Sequence, residues 1–412
     1  MERDTGRLNI LLILGALFLA AFLVRFYNIG AVTVRAGDEG PHIPSASNYV
    51  ERGYFGPDAW YHPPLKHFIH YLGLRVFGNN PYGWRMMNVV LGSATVVMTL
   101  LFLRENLPLK KAPYFSAGLL LLDPLHVFFS RSTVEEVPFA FFITAAAYFM
   151  FRGIRRRGEI WWLLCGVSWG CAFALKWYAL GIAAMAVLLA LAVEIKRRGW
   201  SGMSLPVTYG LVVPAVIYMS AYIPWFLNGH SIAEWFRMHQ DALREMRNVN
   251  LERFGPTQML FFSRIAGASR WFVQPVSAGF EMMRSGERAA YVFIMNNLPV
   301  WIWVLPSLCA VFVVSLKKRW TEGLFIVAAF SALYVPLLAV QRPIFLYSSL
   351  PLLPFAFSGL GYCLERYCRQ WSVPLFIAFM LWSAFLYPLT TGIRIPLAVY
   401  GPIVERLTVI NR

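Results

Sequence analysis

The sequence is short of charged residues and has no internal repeats. Charged side chains make up 14% of its 412 residues, whereas 58% of the residues are hydrophobic. Soluble domains are nearer ~45–50% apolar, so this composition excludes an ordinary soluble protein. We find no internal repeat and no low-complexity tract, which leaves a single integral membrane domain over residues 1–412, without a separate soluble domain, as the expected organisation.

Cysteines are also few. All five lie within predicted membrane spans or on the predicted cytoplasmic side, and none has the spacing of a metal site. A disulfide framework in the outer loops is therefore excluded. The five cysteines are Cys165, Cys171, Cys309, Cys363 and Cys368.

Long hydrophobic stretches dominate the rest of the chain, and each is long enough to cross a bilayer. They predict an all-α polytopic membrane protein, a bundle of about eleven transmembrane helices. The first stretch lacks a small-residue cleavage site, so we interpret it as a retained span. The predicted spans are roughly 8–28, 84–103, 112–129, 135–151, 160–175, 178–194, 205–227, 298–316, 322–340, 344–363 and 372–390.

Basic residues outnumber acidic ones, and the formal net charge is +16. They cluster on every second connection between spans, which explains the charge by topology and argues against nucleic acid as a partner. Positive loops stay in the cytoplasm. We therefore predict a multi-pass protein of the cell (inner) membrane with its N-terminus inside. Its C-terminus and both large loops would lie on the periplasmic or extracellular side.

The two large outer loops are residues 31–81 and 228–296. In the first, Ile43 to Arg52 is predicted to form a short helix on the membrane. In the second, apolar residues recur at helical spacing, which predicts an amphipathic helix in the interface or one packed against the other loop. The sequence does not separate these two interpretations. The apolar residues are Ile232, Trp235, Phe236, His239, Leu243 and Met246.

Two adjacent carboxylates, Asp38 and Glu39, follow the first span. A charge near hydrocarbon loses hydration, so an acid there is expected to have an ion-pair partner or a functional role. The structural alternative is that both are solvated, or that they form the N-cap of a helix. Asp123, inside the third span and followed by Pro124, is expected to be structural and bound by a hydroxyl or a cation from a neighbouring span.

Other ionisable residues fall at the same outer level, at the ends of the predicted spans. Any one of them alone would be a helix anchor with its charge at the surface. Together, cations beside carboxylates at a bilayer surface suit a lipid-linked phosphate, which Arg and Lys both bind. The residues at this level are Asp38, Glu39, Lys66, Arg85, Arg131, Glu135, Glu136, Lys176 and Arg342.

These motifs resemble those of the protein O-mannosyltransferases, and more broadly of the GT-C membrane glycosyltransferases that use polyprenyl-phosphate sugars. Asp38-Glu39, His62-Pro63-Pro64-Leu65 with Lys66, and Arg85 stand in the family's order. Further matches are Asp123, Ser130-Arg131, Glu136 and Lys176-Trp177, with a segment opening a late span at Arg342-Pro343-Ile344-Phe345-Leu346-Tyr347.

The resemblance implies an inverting transfer of a hexose from a polyprenyl phosphate to a hydroxyl acceptor. Mannose is the hexose that the resemblance favours. It implies Asp38 as the base, with Glu39 beside it. His62, Lys66, Arg85, Arg131, Lys176 and Arg342 are the implied donor phosphate and sugar ligands, with Glu136 in a secondary role. A divalent cation is left open through Glu39, His62 or Glu136, and no metal ligand set is assigned.

Two alternatives remain open. The first-half motifs are shared with lipid-A aminoarabinose transferases, so the acceptor is either a protein Ser/Thr or a lipid or glycan. The second outer loop is also too short for the soluble insert of the eukaryotic family members. A lipid-sugar transporter is the alternative from another class, but transporters bind at the midplane between broken helices of related halves, and we find no such paired breaks.

Overall fold

The computed structural model describes residues 2–31, 33, 38–54, 62–247, 267–340 and 344–409. Trp60-Tyr61 of the second motif and Arg342 lie outside the described residues. The helices of the first half are α1 (Glu2–Phe26), α2 (Glu39–Arg52), α3 (Leu65–Phe77), α4 (Pro81–Asn106), α5 (Ala112–Leu122), α6 (Pro124–Phe129), α7 (Glu136–Arg156), α8 (Glu159–Phe173) and α9 (Ala179–Arg198).

The second half continues with shorter helices and then four long ones. They are α10 (Ser204–Val207), α11 (Val213–Ser220), α12 (Ile223–Leu227), α13 (Ile232–Arg247), α14 (Leu298–Trp301), α15 (Val304–Lys318), α16 (Thr321–Ala339), α17 (Leu353–Cys368), α18 (Ser372–Thr391) and α19 (Leu397–Val409). Short 3-10 or π helices join several of them, at Gly199–Met203, Thr208–Val212, Ala268–Arg270, Leu346–Leu352 and Arg369–Trp371.

The chain is a multi-pass membrane protein. Within the described residues, seven helical stretches are long and apolar enough to cross a bilayer. Two of them, Ala179–Ser220 and Leu346–Thr391, run for 42 and 46 residues, about twice what one crossing needs. Two shorter apolar helices, α5 and α8, complete the set. Helices occupy every predicted span, while the number eleven stays a prediction.

Several helices end where the sequence places basic residues. α7 closes on Arg155 and Arg156, and α15 closes on Lys317 and Lys318. The negative end of the helix dipole favours cations, so the residues from which the topology was predicted also stabilise helix ends. α4 begins on a different signal, because the side chain of Asn80 accepts hydrogen bonds from the N–H groups of Tyr82 and Gly83.

α7 is the most enclosed of the long spans. In its apolar window, 78% of the residues are buried inside the protein, against 11% in α1. α4 and α8 pack against it. Its first turn, which carries Glu136, is therefore held in place from several sides.

α3 lies against α4 through glycine. A Cβ added at Gly73 would be 2.4 Å from the carbonyl oxygen of Gly83, so only glycine permits this approach. The contact fixes the helix that carries Lys66 against the helix that carries Arg85.

The predicted amphipathic helix is confirmed as α13, and it packs on the protein along part of its apolar stripe, while its position in the membrane interface stays a prediction. Ala242 is buried, and Trp235 and His239 pack against Tyr218 and Tyr222 at the end of the seventh predicted span. The next part of the stripe stays exposed, at Ile232, Phe236 and Leu243. α13 thus packs on the protein along one line and presents apolar side chains along the adjacent one.

The predicted helical fold class is confirmed, and the structure adds one small sheet, formed by two strands of the second large loop and one of the C-terminal segment. Strands β1 (Ser277–Ser285), β2 (Arg288–Met295) and β3 (Arg394–Pro396) pair antiparallel in that order. Gly286, with φ of 57°, occupies the turn between β1 and β2. Phe293 and Met295 pack with Leu389 of α18. The apolar run in β2 is too short for its secondary structure to be predicted from sequence, since a buried strand and a short buried helix have the same hydrophobic pattern at that length.

Candidate active site

The outer turn Ser132–Val134, between α6 and α7, organises the site. Asn88 of α4 donates to the carbonyls of Ser132 and Val134, at 2.8 and 2.9 Å. His42 of α2 and His70 of α3 both lie on the carbonyl of Thr133, at 3.1 and 3.0 Å. Three helices therefore bind three consecutive carbonyls, and this turn leads directly into Glu135 and Glu136.

Glu39 lies in the first turn of α2 and pairs with Arg85 of α4. The Arg85 Nε and Nη2 atoms donate to the two carboxylate oxygens at 2.6 and 2.8 Å, a bidentate pair. The third nitrogen, Nη1, donates to the carbonyl of Ile29 at 2.7 Å. Both side chains are at most 5% exposed, so the charge of each is matched inside the protein.

Glu135 and Glu136 form the second acidic pair, and they share Lys176. The Lys176 Nζ lies 2.6 Å from Glu136 and 3.2 Å from Glu135. His62 Nε2 lies 3.2 Å from the same oxygen of Glu135, with a side chain that is 26% exposed. Both acids were expected at this level, but only Glu136 was given a role in the site, although Glu135 makes the contact to His62.

Charge governs this cluster. Burial opposes ionisation of Glu135, but Lys176 and then Lys66 hold the pKa of its carboxyl well below the usual range. Burial likewise opposes the Lys176 ammonium, and the two glutamates nevertheless raise its pKa. The cluster is thus a set of opposite charges that stabilise one another in a buried setting.

Lys66 differs from the other cations. It is 2% exposed, and its Nζ lies 3.1 Å from His42 Nε2. The His42 Nδ1 lies on the Thr133 carbonyl, which can only accept, so Nδ1 carries the proton and Nε2 accepts from the ammonium. Burial, then the charge of Lys66, lowers the pKa of His42 to about 3, so the imidazole is neutral.

Asp38 occupies the N-cap position of α2, next to the Glu39–Arg85 pair. Its side chain makes no capping hydrogen bond to the helix, although an acid at this position usually does. It is half-buried, unlike Glu39. The capping alternative from sequence is thus right in position but not in hydrogen bonding.

Arg131, expected to bind phosphate, lies instead on the end of α1. Its guanidinium donates to the carbonyls of Arg25, at 2.8 Å, Tyr27 and Asn28. These carbonyls belong to the last turn of the helix and the residues after it, where backbone acceptors need partners. Burial lowers the pKa of Arg131 to about 10. The described contacts of Arg131 hold α1 rather than the ion cluster.

Two buried residues near span three have structural roles. Asp123 caps α6 by accepting from the N–H of His126 at 3.0 Å, and it accepts from Trp301 Nε1 at 2.8 Å. Its partner is therefore an indole, where the sequence predicted a hydroxyl or a cation. Arg25, fully buried, donates to the carbonyls of Leu120 and Leu121 at the α5–α6 break. Sequence analysis missed Arg25, although a charge inside a predicted span is a signal in itself.

The second outer loop reaches the site through aromatic contacts. Trp177, next to Lys176, donates to the hydroxyl of Tyr218 at 2.9 Å, and that hydroxyl lies 2.6 Å from His239 Nε2 on α13. The rings of Trp177 and His239 stack with centroids 5.4 Å apart. α13 is thereby anchored beside the Glu135–Glu136–Lys176 cluster.

A metal site would need several ligating side chains close together. Among the described side chains, no group of three or more His, Cys, Asp and Glu is arranged to hold a metal ion. The divalent cation left open by the sequence therefore stays untested.

The chain is similar to known proteins in both sequence and fold. Residues 61–225 match the family model described as dolichyl-phosphate-mannose-protein mannosyltransferase. A polyprenol-phosphate-mannose–protein mannosyltransferase of Mycobacterium tuberculosis is 27% identical over 269 residues, which cover 55% of this chain and 51% of that protein. The chain thus spans about half the length of this curated relative.

Two solved structures share the fold. The Saccharomyces cerevisiae protein O-mannosyltransferase Pmt1–Pmt2 complex bound to the sugar donor aligns with a TM-score of 0.71 at 13% identity, over 93% of this chain and 90% of that one. ArnT from Cupriavidus metallidurans bound to undecaprenyl phosphate aligns with a TM-score of 0.52 at 16% identity, over 98% and 74%. The predicted resemblance to the mannosyltransferases is confirmed, and the helical membrane fold is shared with both solved structures.

Proposed function

We propose that this relative of the dolichyl-phosphate-mannose-protein mannosyltransferases is an inverting glycosyltransferase. It would move a hexose, most simply mannose, from a polyprenyl phosphate to a hydroxyl acceptor. The observation that supports this most is the meeting of two acidic pairs and their cations at one end of a membrane bundle, around the turn Ser132–Val134. The named relative uses a polyprenol-phosphate sugar and a protein acceptor, which favours a protein Ser/Thr here.

Asp38 is the proposed base. In the transfer the acceptor oxygen bonds to the anomeric carbon, and the bond from that carbon to the phosphate oxygen breaks. The polyprenyl phosphate leaves with the bonding electrons, and the acceptor proton passes to the Asp38 carboxylate. A hydroxyl is a poor nucleophile until its proton is taken, so this step needs a base within reach. Glu39, committed to Arg85, would orient the start of α2.

Lys66 is the cation best suited to the donor phosphate. The charge of Arg85 is matched by Glu39, and that of Lys176 by Glu135 and Glu136. The ammonium of Lys66 is held by a neutral imidazole instead. A leaving phosphate needs charge stabilisation at a fixed position, which a buried ammonium supplies. His62 would line the sugar or phosphate site, and Arg342 stays a proposed phosphate ligand.

The remaining assignments follow from topology. We place the site, the large loops and the C-terminus on the periplasmic or extracellular side, with the N-terminus in the cytoplasm, because the basic connections would stay inside. The prenyl chain of the donor and the surrounding membrane lipids would contact the outer surfaces of the spans. A lipid or glycan acceptor is the second candidate, because the first-half motifs resemble those of the lipid-A aminoarabinose transferases as well.

The test is transfer from undecaprenyl-phosphate mannose by purified protein in lipid nanodiscs. Replacing Asp38 by Asn should lower the rate by about 10²–10⁴-fold, the usual contribution of a general base. The matched control is Glu51→Gln, an exposed acid on the same helix, which should leave the rate unchanged. Transfer that persists in Asp38→Asn would remove Asp38 from the role.

The product identifies the acceptor. Mass spectrometry of secreted proteins and of envelope lipids, from strains with and without the gene, separates a protein acceptor from a lipid or glycan. Movement of sugar across vesicles without any glycosidic product, and without dependence on Asp38, would favour the transporter instead.

A further inference from the structure

We propose that His42 is a positioning residue: it holds the Lys66 ammonium in place without neutralising it, which leaves that charge for the phosphate of a polyprenyl phosphate. This inference rests on the proposed function and deepens it. It concerns one imidazole on α2 that the sequence motifs did not single out.

The first step is the fixed orientation of the imidazole. His42 is 5% exposed, and its Nδ1 lies 3.1 Å from the Thr133 carbonyl. That carbonyl is part of the same turn that Asn88 and His70 hold. With Nδ1 bound there, Nε2 presents its lone pair to Lys66 at 3.1 Å. The ring cannot turn without breaking both bonds.

Second, Lys66 makes its hydrogen bond to His42 and not to a nearby acid. The carboxyl of Glu135 is close enough for the charge of Lys66 to help lower its pKa. Even so, the described contacts give Lys66 Nζ its hydrogen bond to His42 and no ion pair with Glu135. Glu135 is instead shared by His62 and Lys176.

The third step is the consequence for an anion. A lysine already paired with a carboxylate must give up that partner, or hold two negative charges at once, when it binds phosphate. A lysine held by a neutral acceptor keeps its full charge for the ligand, and a buried setting strengthens the attraction. The contrast with Lys176, which has two carboxylates, makes Lys66 the position where a phosphate adds least repulsion.

The experiment measures binding of undecaprenyl phosphate to purified protein in nanodiscs, so it needs no transfer. His42→Gln keeps a neutral acceptor near Nε2 and should bind within about threefold of wild type. His42→Leu offers no acceptor and frees Lys66 to pair with Glu135, so binding should weaken by about tenfold or more. His42→Glu places a negative carboxylate beside the Lys66 ammonium and should weaken binding at least as much.

A double-mutant cycle with Lys66→Met separates positioning from general damage. If His42 acts through Lys66, His42→Leu should add little to the loss already caused by Lys66→Met, because the two changes remove one interaction. In transfer assays the single His42→Leu change should raise the KM for the donor far more than it lowers kcat. Melting temperatures of all variants report any loss of fold directly.

The outcomes are distinct. Wild-type binding by His42→Leu, or losses from His42→Leu and Lys66→Met that multiply, would overturn the inference while leaving the proposed function intact. Wild-type protein that binds no undecaprenyl phosphate would overturn both together. Recovery in His42→Gln alone, with non-additive losses in the cycle, is the expected result.

Discussion

The two acidic pairs of the outer surface occupy equivalent positions and have different surroundings. In each, the first acid sits at the N-cap position and the second opens the helix: Asp38 and Glu39 on α2, Glu135 and Glu136 on α7. The positive end of the helix dipole favours acids at both sites. Neither N-cap side chain makes a capping hydrogen bond.

The difference lies in how the carboxylates are matched. On α7 both acids are buried and both bind Lys176. On α2 Glu39 is buried in a bidentate pair with Arg85, while Asp38 stays half-buried at the edge. The comparison shows that two sequence motifs of the same form can divide the work. The pair on α7 stabilises the charge cluster, and the pair on α2 leaves one carboxylate partly exposed, where the proposed acceptor would arrive.

Of the changes considered, removing Lys176 from the acidic pair on α7 should lower the free energy of unfolding the most. Lys176→Met would leave two adjacent buried carboxylates, at a cost on the order of 4 kcal/mol of the free energy of unfolding. One carboxyl would then bind a proton more tightly in the folded state than in the unfolded state. The deficit should therefore grow as pH rises from about 5 to 8. Melting temperatures in detergent at both pH values measure it.

The control for this change is an exposed ion pair on α13. Asp241 and Arg244 are 54% and 74% exposed, so Asp241→Asn should leave the melting temperature almost unchanged at either pH. A deficit in Lys176→Met that is equal at pH 5 and pH 8 would contradict the idea that the two carboxylates share one cation.

The α2 pair should give a slightly smaller loss, on the order of 3 kcal/mol, when Glu39 becomes Gln. Arg85 would keep its bond to the Ile29 carbonyl but lose the carboxylate that matches its charge. Because the loss comes from an unmatched buried charge, adding Arg85→Met should recover part of it. Chemical unfolding of both variants checks this. A double variant less stable than Glu39→Gln would argue against a matched pair.

The smallest effect concerns the turn that joins the two pairs. Burial lowers the pKa of His42 to about 3 and of His70 to about 4, both in the folded protein. In the unfolded chain these histidines bind protons near pH 6.5. Their contribution to the free energy of unfolding is therefore fully present above that pH and falls as the pH drops below it. Between pH 7.5 and 5.5 the loss should be about 1 kcal/mol for each histidine.

Replacing His70 by Gln tests the contribution of one ring. Its amide can still donate to the Thr133 carbonyl, but it no longer titrates, so the fall of the melting temperature between pH 7.5 and 5.5 should be shallower than in wild type. An unchanged slope would mean that His70 does not stay neutral in the folded protein.

The sequence predicted much of the fold and part of the site. The span positions, the basic helix ends and α13 followed from hydrophobic length, charge and helical periodicity. Glu39, Arg85, Glu136 and Lys176 were identified by motif, and the structure pairs them. The hairpin of β1 and β2 was missed because its apolar run is too short to distinguish a strand from a helical turn. The pairing of β3 was missed because it lies about 100 residues beyond β2, and long-range pairing has no local signal.

What the sequence determined by itself is which stretches are helical and apolar enough to cross a membrane and which charged residues lie at their ends, because hydrocarbon thickness and charge hydration act on local stretches. What only the tertiary structure decided is which charge meets which. Lys66 finds an imidazole 24 residues away and Lys176 finds a carboxylate 40 residues away. Hydrogen bonding requires contact within about 3 Å, and only the packing of whole helices sets distances that small.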